Sequence, residues 1–403
     1  MYDAIVVGAR CAGSPLSMLL ARKGYRVLLV DRATFPSDTV STQFIWPAGV
    51  AALKRWGLLD RLRATGCPPV REIGLNAGAF RFHGAPPATP DGTAEMYCPR
   101  RTVLDKLLVD AAAEAGAEVE QAFTVTGLST ADGRVTGIRG HGRQGPEVER
   151  TARIVAGADG RHSAVAAATG AETYNARPVK TCCYYSFWRG IPPHQTAMHP
   201  RNRRLLVTTP TNDGLTIAIV LFPIEEFDAV KRDIDGHFMA AMDQAPYLAE
   251  MLRAGERVEP YYGSGDVENF FRKPYGDGWA LAGDAGYHKD PCTAQGISDA
   301  FRSAQWLADA IDAGLSGARP MDQALAEYQR IRDEHLLPMY ELTFGLAHLA
   351  PPPPEIQALH QALRINRPEA DRFIGTLAGT VPIPEYYAPE NVMRIVASAG
   401  LGG

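Results

Sequence analysis

Val6-Val7-Gly8-Ala9-Arg10-Cys11-Ala12-Gly13 decides the fold. Ahead of it, Tyr2 to Val7 is a short apolar run with β-branched residues, the composition of a strand buried on both faces of a parallel sheet. Gly8 permits a tight turn. From Ala12 onward Leu16, Leu19 and Leu20 recur at helical spacing, and the pattern stops at Lys23-Gly24, a basic residue before a glycine cap. Tyr25 to Val30 then reads as a second buried strand ending at Asp31-Arg32. Such a βαβ unit suits the adenine end of a dinucleotide: helix N–H groups meet a pyrophosphate, and the Asp31 carboxylate accepts hydrogen bonds from a ribose. Arg10 stands where the GxGxxG pattern has its middle glycine. A side chain there either crowds the phosphates or points outward and adds positive charge near them. The bland alternative is a tight turn with no ligand.

A second motif lies far downstream. Gly278 to Ala282 reads as another buried strand and leads into Gly283-Asp284, followed by Pro291 and Gln295-Gly296. A helix is expected from about Ile297 to Ala313, with Ile297, Ala300, Phe301, Ala304, Leu307, Ala308 and Ile311 on its apolar face and Gly314 as its cap. Gln295, Gly296 and Ile297 thus place backbone N–H groups at a helix N-terminus, where they can stabilise negative charge on the pyrimidine side of a reduced flavin. Together the two motifs imply one elongated cofactor, FAD, gripped at both ends.

On these residues the chain resembles the flavoprotein monooxygenases of the p-hydroxybenzoate hydroxylase fold, a superfamily that includes aromatic hydroxylases and flavin-dependent halogenases. The resemblance runs from Tyr2 to about Gly314. It implies an α/β fold: a Rossmann-like FAD-binding domain of the GR2 type, interrupted by an antiparallel substrate-binding sheet. By the same resemblance Gly8, Cys11, Ala12, Gly13, Asp31 and Arg32 bind the adenine half, and Gly283-Asp284 binds the ribityl chain. Pro291 lies beside the substrate, and Gln295, Gly296 and Ile297 meet the ring edge. Arg100-Arg101-Thr102-Val103-Leu104 resembles a helix start whose arginine, here Arg101, contacts flavin; a solvated helix terminus is the alternative. Gly157-Ala158-Asp159-Gly160-Arg161-His162-Ser163 resembles the DG motif that bears on flavin and pyridine nucleotide, which assigns Asp159 to the cofactor. Two departures matter. Ala166 occupies the place of that motif's closing arginine, which bears on NAD(P)H use. Thr42 aligns near the flavin where the family often has an arginine.

Composition and order fit this scheme. With 46% hydrophobic and 21% charged residues the chain reads as soluble and globular, and a net charge of −4 argues against nucleic acid as a partner. No apolar run reaches bilayer length, and the apolar N-terminus lacks a basic leader, so no membrane partner and a cytoplasmic location are expected. The six cysteines form no CxxC pair or zinc-like cluster; they are expected to be reduced, with Cys182 and Cys183 alternating across a strand and no metal bound. The domains read as 1–175 for the first part of the FAD-binding lobe, with a hairpin turning at Asp132-Gly133, and 176–270 for the substrate sheet. Residues 271–345 return to the flavin lobe, and 346–403 form a helical segment after the Pro351 to Pro354 break. That last segment packs back on the surface or meets a second subunit as a homodimer.

The expected chemistry is a monooxygenase. NAD(P)H reduces the flavin, molecular oxygen adds to give a flavin peroxide, and an oxygen atom passes to an aromatic or other electron-rich small-molecule substrate. His288 and Tyr185 are candidates for proton transfer beside Pro291, with Tyr184 on the same strand; a hydrogen-bonded loop histidine and a core tyrosine are the alternatives. Halogenases carry WxWxIP, whereas this chain has Ser186-Phe187-Trp188-Arg189-Gly190-Ile191-Pro192, and no lysine lies between Lys54 and Lys106. Halogenation, oxygenation with electrons from a separate reductase, and prenyl-chain reduction stay as rival enzyme readings. A flavin-free module binding prenylated proteins is the reading from another class.

Overall fold

A computed structural model describes residues 1–400. The strand Tyr2–Val7 lies at the centre of a sheet, parallel to Val27–Asp31 on one side and to Val148–Gly157 on the other. Trp279–Leu281 extends the sheet beyond Val148–Gly157, and Glu118–Gln121 closes the opposite edge, both in parallel. The register explains why motifs far apart in sequence meet. Val7 is level with Val30 and Gly157, and Gly157 is level with Leu281, so all four strands deliver their C-terminal ends to one rim. Ala4, Ile5, Val6, Leu28, Leu29, Val30, Val155 and Ala156 are closed to solvent, as their near-continuous apolar runs require. The helices Gly13–Arg22, Arg101–Glu114 and Gly296–Leu315 share one apolar cluster with this sheet. The hairpin Thr124–Ala131/Arg134–His141 turns at Asp132-Gly133, both with positive φ (51° and 81°), as a two-residue turn demands.

The second sheet is built on Thr181–Arg189, Thr216–Pro223, Arg204–Pro210 and Ala197–Arg201, paired antiparallel in that order. Two differences from the sequence reading appear here. Ile73–Asn76 and Arg81–Gly84, which fall within 1–175, also belong to this sheet, and Ile73–Asn76 joins Ala197–Arg201 in parallel. Both faces are covered. Cys182, Tyr184 and Trp188 pack against helices between Phe227 and Ala254, whereas Cys183, Tyr185 and Phe187 face a cluster completed by Leu359, Phe373, Ile374 and Tyr386 of the C-terminal helices. Cys182 and Cys183 therefore alternate across the strand, and all six thiols are free and buried. Among the described residues no helix is long and apolar enough to cross a membrane.

One boundary is corrected. The helix Gly296–Leu315 does not stop at Gly314 but runs through it to a cap at Ser316. Gly314 is a close-approach position: a Cβ there would collide with the Met321 side chain at the start of the next helix.

Candidate functional site

A cavity of about 610 Å³ runs along the rim where the strand ends converge. Its wall includes Gly8, Cys11, Ala12, Asp31, Arg32, Thr42, Arg101, Asp159, Gly283, Asp284, Gly296 and Ile297, together with Tyr185, His288 and Pro291. Gly13 and Gln295 lie outside it. Gly13 lets helix and turn approach, since a Cβ there would overlap the Gly8 carbonyl. Gln295 is 3% exposed and its side-chain amide nitrogen donates to Leu377 O at 2.6 Å.

At the adenine end Gly8 adopts φ 103°, a conformation that favours glycine, and a Cβ there would strike the Ala158 carbonyl of the DG segment. Asp31 holds the turn: Oδ2 accepts from Ala9 N at 2.7 Å and Oδ1 from Ala33 N at 2.8 Å. The N–H groups of Cys11, Ala12 and Gly13 precede the first helical bonds, which run from Ser14 N to Arg10 O and from Leu16 N to Ala12 O. The Arg10 side chain turns aside. It reaches Asp105 Oδ2 at 2.5 Å and Ser37 Oγ at 3.0 Å, and lies 5.3 Å from the centre of the Phe35 ring. Asp105 is fully buried; Arg101 clasps it with two bonds of 3.0 Å, and Cys11 Sγ sits 3.4 Å away. Burial opposes the Arg101 charge, yet the Asp105 and Asp284 carboxylates hold it above its ordinary pKa.

The DG segment adds Asp159, whose Oδ2 accepts from Ala164 N at 2.7 Å while Oδ1 is buried without a partner. Desolvation raises its pKa. The Gly283-Asp284 turn is pinned from behind: Gly283 N donates to Ser303 Oγ at 3.0 Å, and Ser303 meets the Tyr328 hydroxyl at 2.8 Å. Fully buried Arg332 donates to Gly286 O at 3.0 Å and also binds Tyr174 and the Arg272 carbonyl.

At the other end Pro291 opens a short 3-10 turn capped by Asp290, and the helix N-terminus at Gly296 follows. A Cβ on Gly296 would meet nothing within 4 Å, although the residue lines the cavity. Tyr185 is 1% exposed; its hydroxyl lies 3.4 Å from both Ser41 N and Thr39 O, its ring stacks on Tyr262 at 5.5 Å, and burial raises its pKa. His288 Nδ1 hydrogen-bonds the Glu268 carbonyl in a short contact, and the ring stacks on Phe270. Nδ1 therefore donates, and Nε2 is the nitrogen left as an acceptor.

These features fit FAD. The cavity is lined from the Gly8 turn to Pro291, two helix N-termini face it, Gly296 leaves room where a side chain would intrude, and Asp159 carries an orphaned oxygen. The chain belongs to the FAD-binding-domain family, whose model matches residues 1–339. It is 26% identical to the digeranylgeranylglycerophospholipid reductase of Methanocella arvoryzae, over 85% of this chain and 86% of that protein. The fold is shared with the myxobacterial chondrochloren halogenase (TM-score 0.81, 21% identity, 100% of this chain and 97% of that one). It is shared too with a Pseudomonas aeruginosa protein described as a probable FAD-dependent monooxygenase (TM-score 0.69, 20% identity, 93% and 98%). The protein is thus an FAD-dependent oxidoreductase that shares its fold with these enzymes.

Sequence reasoning missed Asp105, Ser303, Tyr328 and Arg332. Asp105 alone carried a local signal, four residues after Arg101 on one helix face.

Proposed function

We propose that the enzyme is a monooxygenase that uses NAD(P)H and O2 to hydroxylate or otherwise oxidise an aromatic or similarly electron-rich small molecule. The observation that carries this reading is the continuity of one cavity from the Gly8 turn to a wall of Cys183, Tyr185, Tyr287, His288 and Pro291. That wall offers the flat rings of Tyr185, Tyr287 and His288 to a substrate. Bound FAD would supply the redox chemistry, held by the turn at Gly8, by Asp31, Arg101, Asp159 and Asp284, and by the helix N-terminus at Gly296. The chain's own contribution is positional. The covered sheet keeps water from the ring end, and Tyr185, its hydroxyl held between Thr39 O and Ser41 N, contributes a fixed ring to the cavity wall. His288 Nε2 can take a proton from a substrate hydroxyl.

The test is anaerobic mixing of FAD-loaded protein with NADPH or NADH, then admission of oxygen with candidate aromatics. Bleaching on mixing, followed by a product one oxygen atom heavier, supports the proposal. No bleaching, with normal reduction by dithionite, refutes self-contained reduction and points to a separate reductase, in line with Ala166 standing where the related motif has arginine.

The curated reductase relative supports a second reading, saturation of a prenyl-chain double bond. It requires the reduced flavin to be oxidised by the alkene without oxygen. Anaerobic reoxidation by a prenyl lipid would select it over oxygenation.

A further inference from the structure

Lys289 lies between the Gly283-Asp284 turn and Pro291, on the cavity wall, with its side chain only 5% exposed. Its ammonium is ion-paired with Asp299, itself 6% exposed, and stands 4.8 Å from the centre of the Tyr287 ring. The other Asp299 oxygen accepts from Arg302 at 3.2 Å. One carboxylate therefore serves two cations. A buried ammonium is costly unless its charge is met, and a shared carboxylate meets it only in part. Asp290, the acid next to Lys289, is engaged elsewhere, with Oδ2 on the Thr181 hydroxyl at 2.7 Å and Oδ1 on Cys292 N at 3.0 Å. Asp299 sits in the first turn of the helix that begins at Gly296, whose N–H groups also favour an anion. This corner of the cavity thus sets one buried ammonium and a helix N-terminus against the carboxylates of Asp284, Asp290 and Asp299.

We infer that Lys289 tunes the flavin: its ammonium, restrained by Asp299, stabilises the negative charge that the ring's pyrimidine side carries once electrons enter it. The inference rests on the FAD reading and extends it to the ring's reduction energetics. Lys289 attracts the charge and Asp299 moderates that attraction, so the two side chains act with opposite sign. A purely structural ion pair would give both substitutions the same sign, as loss of packing.

The experiment is a sulfite titration of FAD-loaded protein, with flavin content measured first. Sulfite adds its sulfur lone pair to the oxidised ring, and the ring takes that electron pair as an anion, so affinity reports the charge around it. Lys289→Met should weaken sulfite binding about tenfold or more, and Lys289→Arg should stay close to the parent. Asp299→Asn should tighten it. The midpoint potential, read by dye equilibration, should fall in Lys289→Met and rise in Asp299→Asn. Unchanged sulfite affinity and potential in flavin-replete Lys289→Met would overturn the inference, as would shifts of the same direction in both variants. If Lys289→Met does not fold, Asp299→Asn decides: tighter binding supports the assignment, and unchanged or weaker binding refutes it. A parent protein that takes up no FAD would refute the cofactor reading, a result distinct from flavin that binds but ignores Lys289.

Discussion

Arg10 and Arg101 hold one buried carboxylate, Asp105, between two guanidinium groups. Two cations on one anion leave positive charge beside the turn that receives a pyrophosphate, and Arg10 achieves this with its side chain swung toward Ser37 and Asp38. The departure from GxGxxG therefore adds charge without filling the phosphate site. Arg10→Gly restores the consensus yet should weaken FAD binding about tenfold and flatten its salt dependence, because one charge-assisted contribution is lost. Fluorescence titration at two salt concentrations checks this; tighter binding would mean that the arginine crowds the phosphates after all. Asp284 lines the cavity at the end of a turn locked by Ser303 and Tyr328. Asp284→Ala should lose roughly 100-fold in FAD affinity, on the order of 3 kcal/mol for a buried charged hydrogen bond, and emerge colourless from gel filtration. Full flavin content in that variant would remove Asp284 from the site.

The helix Gly296–Leu315 ties residue chemistry to the larger structure. Its N-terminus faces the cavity at Gly296 and Ile297, and its Gln295 cap residue binds the carbonyl of Leu377 at the end of Arg367–Ala378. Because a Cβ on Gly296 meets only open space, Gly296→Val should fold with an unchanged circular dichroism spectrum but exclude FAD from the volume its side chain fills. A yellow Gly296→Val protein would place the ring elsewhere. Elements of this kind show what a sequence exposes. The central strands and their motifs were legible because buried parallel strands are continuous apolar runs and each ends in its own turn. The hairpin at Asp132-Gly133 was legible because its turn chemistry is local. Gly314 misled because a glycine needed for close packing looks like a glycine needed for a cap. The pairing of Ile73–Asn76 with Ala197–Arg201 left no trace, since a parallel partner so distant in sequence is chosen by the tertiary fold. The supports behind the site were silent for the same reason: Ser303, Tyr328 and Arg332 act across helices, and Lys289 gains meaning only once Asp299 stands beside it.

At the scale of the whole molecule, the C-terminal helices close the substrate sheet on the face that carries Tyr185 and Phe187. His360, on Pro354–Leu363, is inserted there among the rings of Phe80, Phe82 and Phe373, with Nδ1 buried and unpartnered. Burial lowers its pKa to about 4. His199, buried in the same sheet, is likewise lowered to about 4 by desolvation, with Arg201 and His194 adding to the shift. In the unfolded chain each titrates near its ordinary value of about 6.5. Between these limits the unfolded state binds more protons than the native one, so stability is fully present above pH 6.5 and is lost as pH falls toward 4. Each histidine accounts for up to about 3 kcal/mol of that loss. His360→Phe keeps an aromatic ring in an apolar slot and removes one proton-binding site. It should be close to the parent at pH 7 and more stable than the parent at pH 4.5, as read from urea midpoints followed by tryptophan fluorescence. If the parent and the variant lose stability in parallel on acidification, the buried imidazole takes up no proton on unfolding, and the acid sensitivity must come from other groups.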